Sequence, residues 1–239
     1  MAKLVQKSGY IKSGKASGYM RYIATREGVE KLAGNGAVTK GQRELIQKLL
    51  TDFPDAVELF EYEDYCKTPT LGTASAFISM ALDANFHEMD SESGYMQYIA
   101  TRPRVQKRGA HGLFSSATAV DLTSAMSELE AHEGNVWTII YSLRREDAAR
   151  LEYNNADAWR ALLMENAPTL AKSMKISLDN FHWCAAFHDE GHHPHIHMMV
   201  WSDDPKEGFL TKDGIAAIRS KLTNAIFRDE MQQIYERKD

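Results

Sequence analysis

The chain is poor in cysteine. It holds only Cys66 and Cys184, at no spacing that suggests a pair. That excludes a disulfide scaffold and suits a reducing, cytoplasmic setting. No apolar run approaches the ~18 residues of a membrane span and no signal peptide opens the chain, so no membrane insertion is expected. Proline is sparse, at 6 of 239 residues. No linker or low-complexity stretch divides the chain, so one domain over residues 1–239 is expected. Positive charge is not in excess either: 28 Lys and Arg stand against 33 Asp and Glu, a net charge of −5. A uniformly basic nucleic-acid binder is thereby excluded, while local basic patches are not. The apolar fraction of 44% is ordinary for a globular protein with a full core.

What the chain does have is histidine in one place. Five of its nine histidines fall between His188 and His197. Phe181–His188 reads as one strand and His195–Trp201 as the next, with a turn through Gly191 and Pro194 between them. Side chains alternate along a strand. In the second strand Ile196, Met198 and Val200 share one face, and His195 and His197 share the other. In the first, Phe181, Trp183, Ala185 and Phe187 share one face and His188 lies on the other. An antiparallel hairpin would set His188 nearly opposite His195, with Cβ atoms roughly 5 Å apart. Three imidazoles then converge above a sheet whose far side is apolar, as a facial three-nitrogen metal site with open positions would require. Surface histidines on a loop would not show this alternation. A slip of one residue in register would destroy the arrangement. His182 lies on the same face as His188, but about 20 Å along the strand, so it is not expected to bind the ion.

Other elements follow from local pattern. Leu4–Ile11 reads as a strand, followed by a basic turn containing Lys12 and Lys15. Tyr19–Arg26 reads as a helix start. Thr39 and Gln42 form a capping-box pattern ahead of Leu45, Ile46, Leu49 and Leu50, and Phe53-Pro54 ends that helix. Residues 55–69 are acidic and aromatic with no clear period. Helices are expected near Thr73–His87, near Asp121–His132 with Gly134 closing it, over Arg144–Arg150, and over Asn155–Met164, where Pro168 breaks the pattern. Asn135–Leu143 reads as a strand. Thr211 caps a long helix through Ile215, Ile218, Leu222, Ala225, Ile226 and Ile234, whose regular apolar spacing suits core packing. Strands mixed with helices of uneven length indicate an α+β fold with an antiparallel sheet.

The chain also repeats itself. Gly94–Arg102 copies Gly18–Arg26 with one change in nine, at an offset of 76 residues. Residues 1–31 carry seven Lys or Arg against two Glu. The second copy is followed by Arg104, Lys107 and Arg108. Basic residues beside tyrosines suit a sugar-phosphate backbone and stacked bases. Lys12, Lys15, Arg21, Arg26, Arg102, Arg104, Lys107 and Arg108 are therefore the DNA-contact candidates. Two similar helices that simply pack alike are the plainer alternative.

These residues resemble a known family. Pro194-His195-Ile196-His197, with His188 seven residues before His195, is similar to the metal motif of conjugative relaxases. Those are His-hydrophobic-His (HUH) endonucleases that nick plasmid or integrative-element DNA at a transfer origin. Tyr22–Gly28 resembles their N-terminal tyrosine motif. Gly191–Met198 resembles the MobP3/MobL-type relaxases of Gram-positive bacteria, and the similarity extends along the chain through Asn135–Glu146.

The resemblance implies a sheet of about five antiparallel strands with helices packed on it. It implies a divalent cation, Mn²⁺ or Mg²⁺ ahead of Zn²⁺, on His188, His195 and His197; the shared strand face leaves His192 and His193 outside the coordination sphere. It implies Tyr22 as the nucleophile, with Tyr98 of the second copy as the alternative, and leaves Glu190 a metal-tuning role. Some relatives have a further acid where this chain has Gly191, so no acidic general base is assigned. Implied partners are single-stranded transfer-origin DNA, accessory relaxosome proteins and a coupling protein. Relatives usually carry a C-terminal transfer or helicase region that is not visible here, so the chain reads as the nuclease part, the N-terminal portion of a longer protein. Two other readings remain at this stage. His193-Pro-His195-Ile-His197 loosely fits the histidine-triad signature of nucleotide hydrolases. A structural zinc module is the other, although such sites usually take four cysteine-rich ligands and only Cys184 is near.

Overall fold

The computed structural model describes residues 3–10, 35–85, 92–101, 105–107, 110–117, 119–189 and 193–228, with backbone alone at positions 94 and 98. The helix start expected at Tyr19–Arg26 and the end of the last helix at Ile234 lie outside them. Contacts divide the chain into two compact units, Ile11–Ser91 and Met1–Tyr10 with Glu92–Asp239.

In the first unit, helices α1 (Lys40–Asp52), α2 (Phe60–Lys67) and α3 (Leu71–Ala84) pack together. Each long helix starts on a threonine cap. The Thr39 hydroxyl accepts from the Gln42 amide while the Gln42 side chain accepts from the Thr39 amide, and Thr70 and Thr73 repeat the arrangement. The Gln42 Nε2 then donates to the Leu71 carbonyl (3.0 Å) and to Ser75 Oγ (2.9 Å), tying α1 to α3. The aperiodic stretch 55–69 folds as a 3₁₀ turn, Pro54–Glu58, and then α2. Two turns are too short to show a period. What orders them is ring packing of Tyr62 and Tyr65 on Phe77, with centroids 5.1 and 6.4 Å apart.

The second unit is built on a five-stranded antiparallel sheet, so the chain is α+β. Its strands are β1 (Val5–Tyr10), β2 (Leu113–Ser115), β3 (Trp137–Ser142), β4 (Phe181–His188) and β5 (His195–Ser202), in the order β1-β3-β5-β4-β2. The short edge strand β2 has too few residues to be read from sequence. The helices are α4 (Glu92–Thr101), α5 (Leu122–Glu130), α6 (Arg145–Arg150), α7 (Ala156–Ser173) and α8 (Lys212–Ile226). Among the described residues, no helix is long and apolar enough to cross a membrane. Both cysteines are free thiols.

One sheet face is the apolar core. Ile139, Tyr141, Trp183, Ala185, Phe187, Ile196, Met198 and Val200 meet Trp159, Leu162, Leu163 and Leu170 of α7 and Ile218, Leu222 and Ile226 of α8. Burying a side chain of this size contributes about 1.5–3 kcal/mol, so this layer is the main source of the unit's stability. Two local expectations are corrected. The α7 helix does not stop near Met164 but continues past Pro168 to Ser173. Proline removes one amide donor, but Pro168 lies on the exposed side with Met164 and Glu165, where water can satisfy the released carbonyl. The α5 helix ends at Ala131 in a right-handed conformation, not through Gly134.

Within the core, the Tyr141 hydroxyl is fully buried and has no hydrogen-bond partner among the described residues. Burial pushes its ionisation well above the usual phenol value. A buried hydroxyl of this kind costs stability, so Tyr141→Phe should stabilise the protein by about 1 kcal/mol. In thermal unfolding that is an upward shift of about 2–4 °C. A fall of that size instead would mean that the hydroxyl has a partner.

Candidate metal centre

The opposite sheet face carries the histidines. The β4–β5 ladder pairs His188 with His195 and Ala186 with His197. Directly paired residues share a face, and alternation sends Phe187 and Ile196 into the core. The same apolar packing that fixes the register therefore places three imidazoles on the other side. The ends of the hairpin are anchored. The Asp189 carboxylate meets Arg145 at 2.7 Å, the Leu143 amide donates to the Pro194 carbonyl at 3.2 Å, and Gln106 donates to the Phe187 carbonyl at 2.9 Å. Val105 bridges His188. Gly112 is needed beside it, because a Cβ there would collide with the Val105 side chain.

All three histidines are buried, and a ligating atom from each lies within 4.8 Å of the others. Ring centroids are 4.7–5.3 Å apart. Three nitrogens bonded at about 2.1 Å to one ion in tetrahedral geometry stand about 3.4 Å apart. Ring rotations of about an ångström would close this cluster on an ion.

Each ring also has an oxygen neighbour at its other nitrogen. His188 Nε2 lies 2.9 Å from the Ile99 carbonyl, His195 Nδ1 lies 3.0 Å from the His193 carbonyl, and His197 Nδ1 lies 3.0 Å from the Tyr95 hydroxyl. With the proton on those atoms, each ring N–H donates to its oxygen. The lone pairs then reside on His188 Nδ1, His195 Nε2 and His197 Nε2. Neutral rings with tautomers set in this way are the donor set of a divalent-metal site, so these residues fit such an ion. Cys184 is not part of the cluster, and burial pushes its thiol far above the ordinary range. The cluster among the described residues is therefore three histidines without a cysteine.

The same face carries residues that sequence reasoning passed over. Ser142 is buried and paired with His195. Lys7 is buried in the row of Ile140 and His197. Tyr95, at 0% exposure, was visible only as part of the repeat. The signal for Lys7 was a charged residue at an inward position of the first strand. His182, at the far end of the hairpin, is outside the triad. It pairs with Asp203 at 2.7 Å, stacks on Trp201, and lies in a separate, more exposed grouping with Asp203 and Glu128.

Of the remaining candidates, Tyr98 is a residue of α4, and Lys107 is exposed in the segment after it. Tyr22, Lys12, Lys15, Arg21, Arg26, Arg102, Arg104, Arg108, Glu190 and His192 lie outside the described residues.

No curated protein and no solved structure matches the chain. The family model for MobL relaxases matches residues 1–239, the whole of the sequence. The histidine hairpin on a five-stranded antiparallel sheet agrees with that match, and the chain belongs to the MobL relaxase family.

Proposed function

We propose that this relaxase nicks and rejoins one strand of transfer-origin DNA, using a divalent ion on His188, His195 and His197 and Tyr22 as nucleophile. The supporting observation is the convergence of three buried imidazoles, each with its outer nitrogen at an oxygen neighbour. Residues 1–239 act together as the nicking and transesterase domain.

A divalent ion held by neutral imidazoles keeps its full charge and supplies electrostatic stabilisation to the non-bridging oxygens of a phosphodiester. The chain's own residues do the rest. Tyr22, with Tyr98 as the alternative, attacks phosphorus through its phenolic oxygen. The bond to the 3′ oxygen breaks and that oxygen takes up a proton. The phenol's proton passes to solvent. The product is a 5′-phosphotyrosine, which conserves the bond energy for the reverse step. Glu190, next to the histidine turn in sequence, tunes the centre. Lys12, Lys15, Arg21, Arg26, Arg102, Arg104, Lys107 and Arg108 neutralise backbone phosphates. Accessory relaxosome proteins and a coupling protein are the expected partners in the cytoplasm.

The test is incubation with a single-stranded origin oligonucleotide. A covalent protein–DNA adduct should form with Mn²⁺ or Mg²⁺ and disappear with EDTA. Raising salt from 50 to 200 mM should weaken binding by orders of magnitude, because each phosphate contact releases counterions. Turnover of dinucleotides without any adduct would instead support a histidine-triad hydrolase.

A further inference from the structure

We infer that α4, the second copy of the repeat, is a clamp for the metal centre, and that Tyr95 is a positioning residue that sets the ion's affinity through His197. The inference rests on His188, His195 and His197 being the metal ligands.

Two of the three histidines are held by this one helix. Tyr95 and Ile99 are four residues apart, so they lie on the same helical face. The Tyr95 hydroxyl stands 3.0 Å from His197 Nδ1, with the rings edge-on at 70°. The Ile99 carbonyl stands 2.9 Å from His188 Nε2. In an unbroken helix that carbonyl would accept from the amide of residue 103. Residue 103 is proline and has no amide hydrogen. The neighbouring Ala100 carbonyl accepts from Gly112 at 2.8 Å. The end of α4 thus gives one carbonyl to the backbone of the following segment and one to a histidine ring.

The two copies differ at the position that matters. Gly94–Arg102 is followed by Pro103, whereas Gly18–Arg26 is followed by Glu27, which has an amide hydrogen. Only the second copy is written so that its isoleucine carbonyl lacks a helical donor. The duplication therefore does not imply two equivalent catalytic elements.

Tyr95 is not a nucleophile. Its hydroxyl lies at Nδ1, across the ring from Nε2, which would put it roughly 6–7 Å from an ion bonded at Nε2. That hydroxyl is fully buried and engaged at the outer nitrogen of the ring, away from the side Nε2 presents, so it is placed to hold the ring and not to reach phosphorus. What the phenol does is hold the His197 ring angle and accept from Nδ1–H in the tautomer that leaves the Nε2 lone pair to the ion. Being neutral, it does so without the negative charge of the carboxylate often found in this role. The ion's charge is then left to act on the phosphate.

The test is Tyr95→Phe, which keeps the ring and removes one oxygen. Mn²⁺ affinity measured by titration calorimetry should fall about 10–100-fold. Nicking should recover as Mn²⁺ is raised to saturation. The metal-free variant should unfold within a few degrees of the wild type, but its Mn²⁺-induced rise in melting temperature at a fixed subsaturating concentration should shrink, since that rise reports affinity. An unchanged Mn²⁺ affinity in Tyr95→Phe, with the wild type binding one ion and His195→Ala none, would overturn the role of Tyr95 and leave the metal site intact. Equal binding by wild type and His195→Ala would overturn the metal site itself and this inference with it.

Discussion

His195→Ala and His197→Ala should each lose the divalent ion and, with it, origin nicking by a factor of roughly a thousand or more. The magnitude follows from the several kcal/mol by which a cation stabilises a phosphoryl transition state. Two imidazoles remaining on a sheet face do not replace it. Both histidines sit on the face opposite the Ile196, Met198 and Val200 layer, so the core contacts that fix the hairpin survive. Elemental analysis should find well under one ion per chain, and far-UV circular dichroism should be unchanged. Retention of a full equivalent by His195→Ala would count against the site. His182→Ala is the internal control. It lies at the other end of β4, beside Asp203 and Trp201, and should leave both ion content and nicking unchanged.

The second large effect is expected at the nucleophile. Tyr22→Phe should abolish the covalent adduct, a loss of at least on the order of 10⁴-fold, as removal of a nucleophile does in other enzymes. It should leave oligonucleotide binding nearly intact, because the phenyl ring and neighbouring basic residues remain. Tyr98→Phe should keep the adduct. The choice rests on chain order: Tyr22 follows the first strand and a basic, glycine-containing stretch of sequence, whereas Tyr98 follows the acidic run Glu88–Glu92. Denaturing gels of the two variants with labelled origin DNA decide it. An adduct that survives Tyr22→Phe and vanishes with Tyr98→Phe would reverse the assignment.

The histidine site was legible because it depends on a period of two. Once Phe187, Ile196 and Met198 are committed to a core, the intervening positions have only one place to go, and His188, His195 and His197 follow. The capping boxes were legible for a similar reason: Thr39 and Gln42 satisfy each other's amides within one turn, with no help from distant residues. The choice of α+β class rested on the same local periods. Local pattern could not show how far a helix extends against a local breaker, and α7 runs through Pro168 because its buried face outweighs one lost bond on its exposed side. Nor could it show a three-residue edge strand, whose order comes from pairing Leu113, Phe114 and Ser115 with β4 and from Arg160 donating to the Ser115 carbonyl.

Sequence by itself determined which residues can bind a metal, since ligand chemistry and strand alternation are both local. Tertiary structure alone decided what holds those histidines. Tyr95 and Ile99 are about a hundred positions away in the chain from the histidines they meet, and nothing in the spacing of a hairpin specifies which helix will cover it. That pairing is set by how α4 packs over the sheet. A repeat that read as a second DNA-contact element thereby stands, in the fold, against the imidazoles.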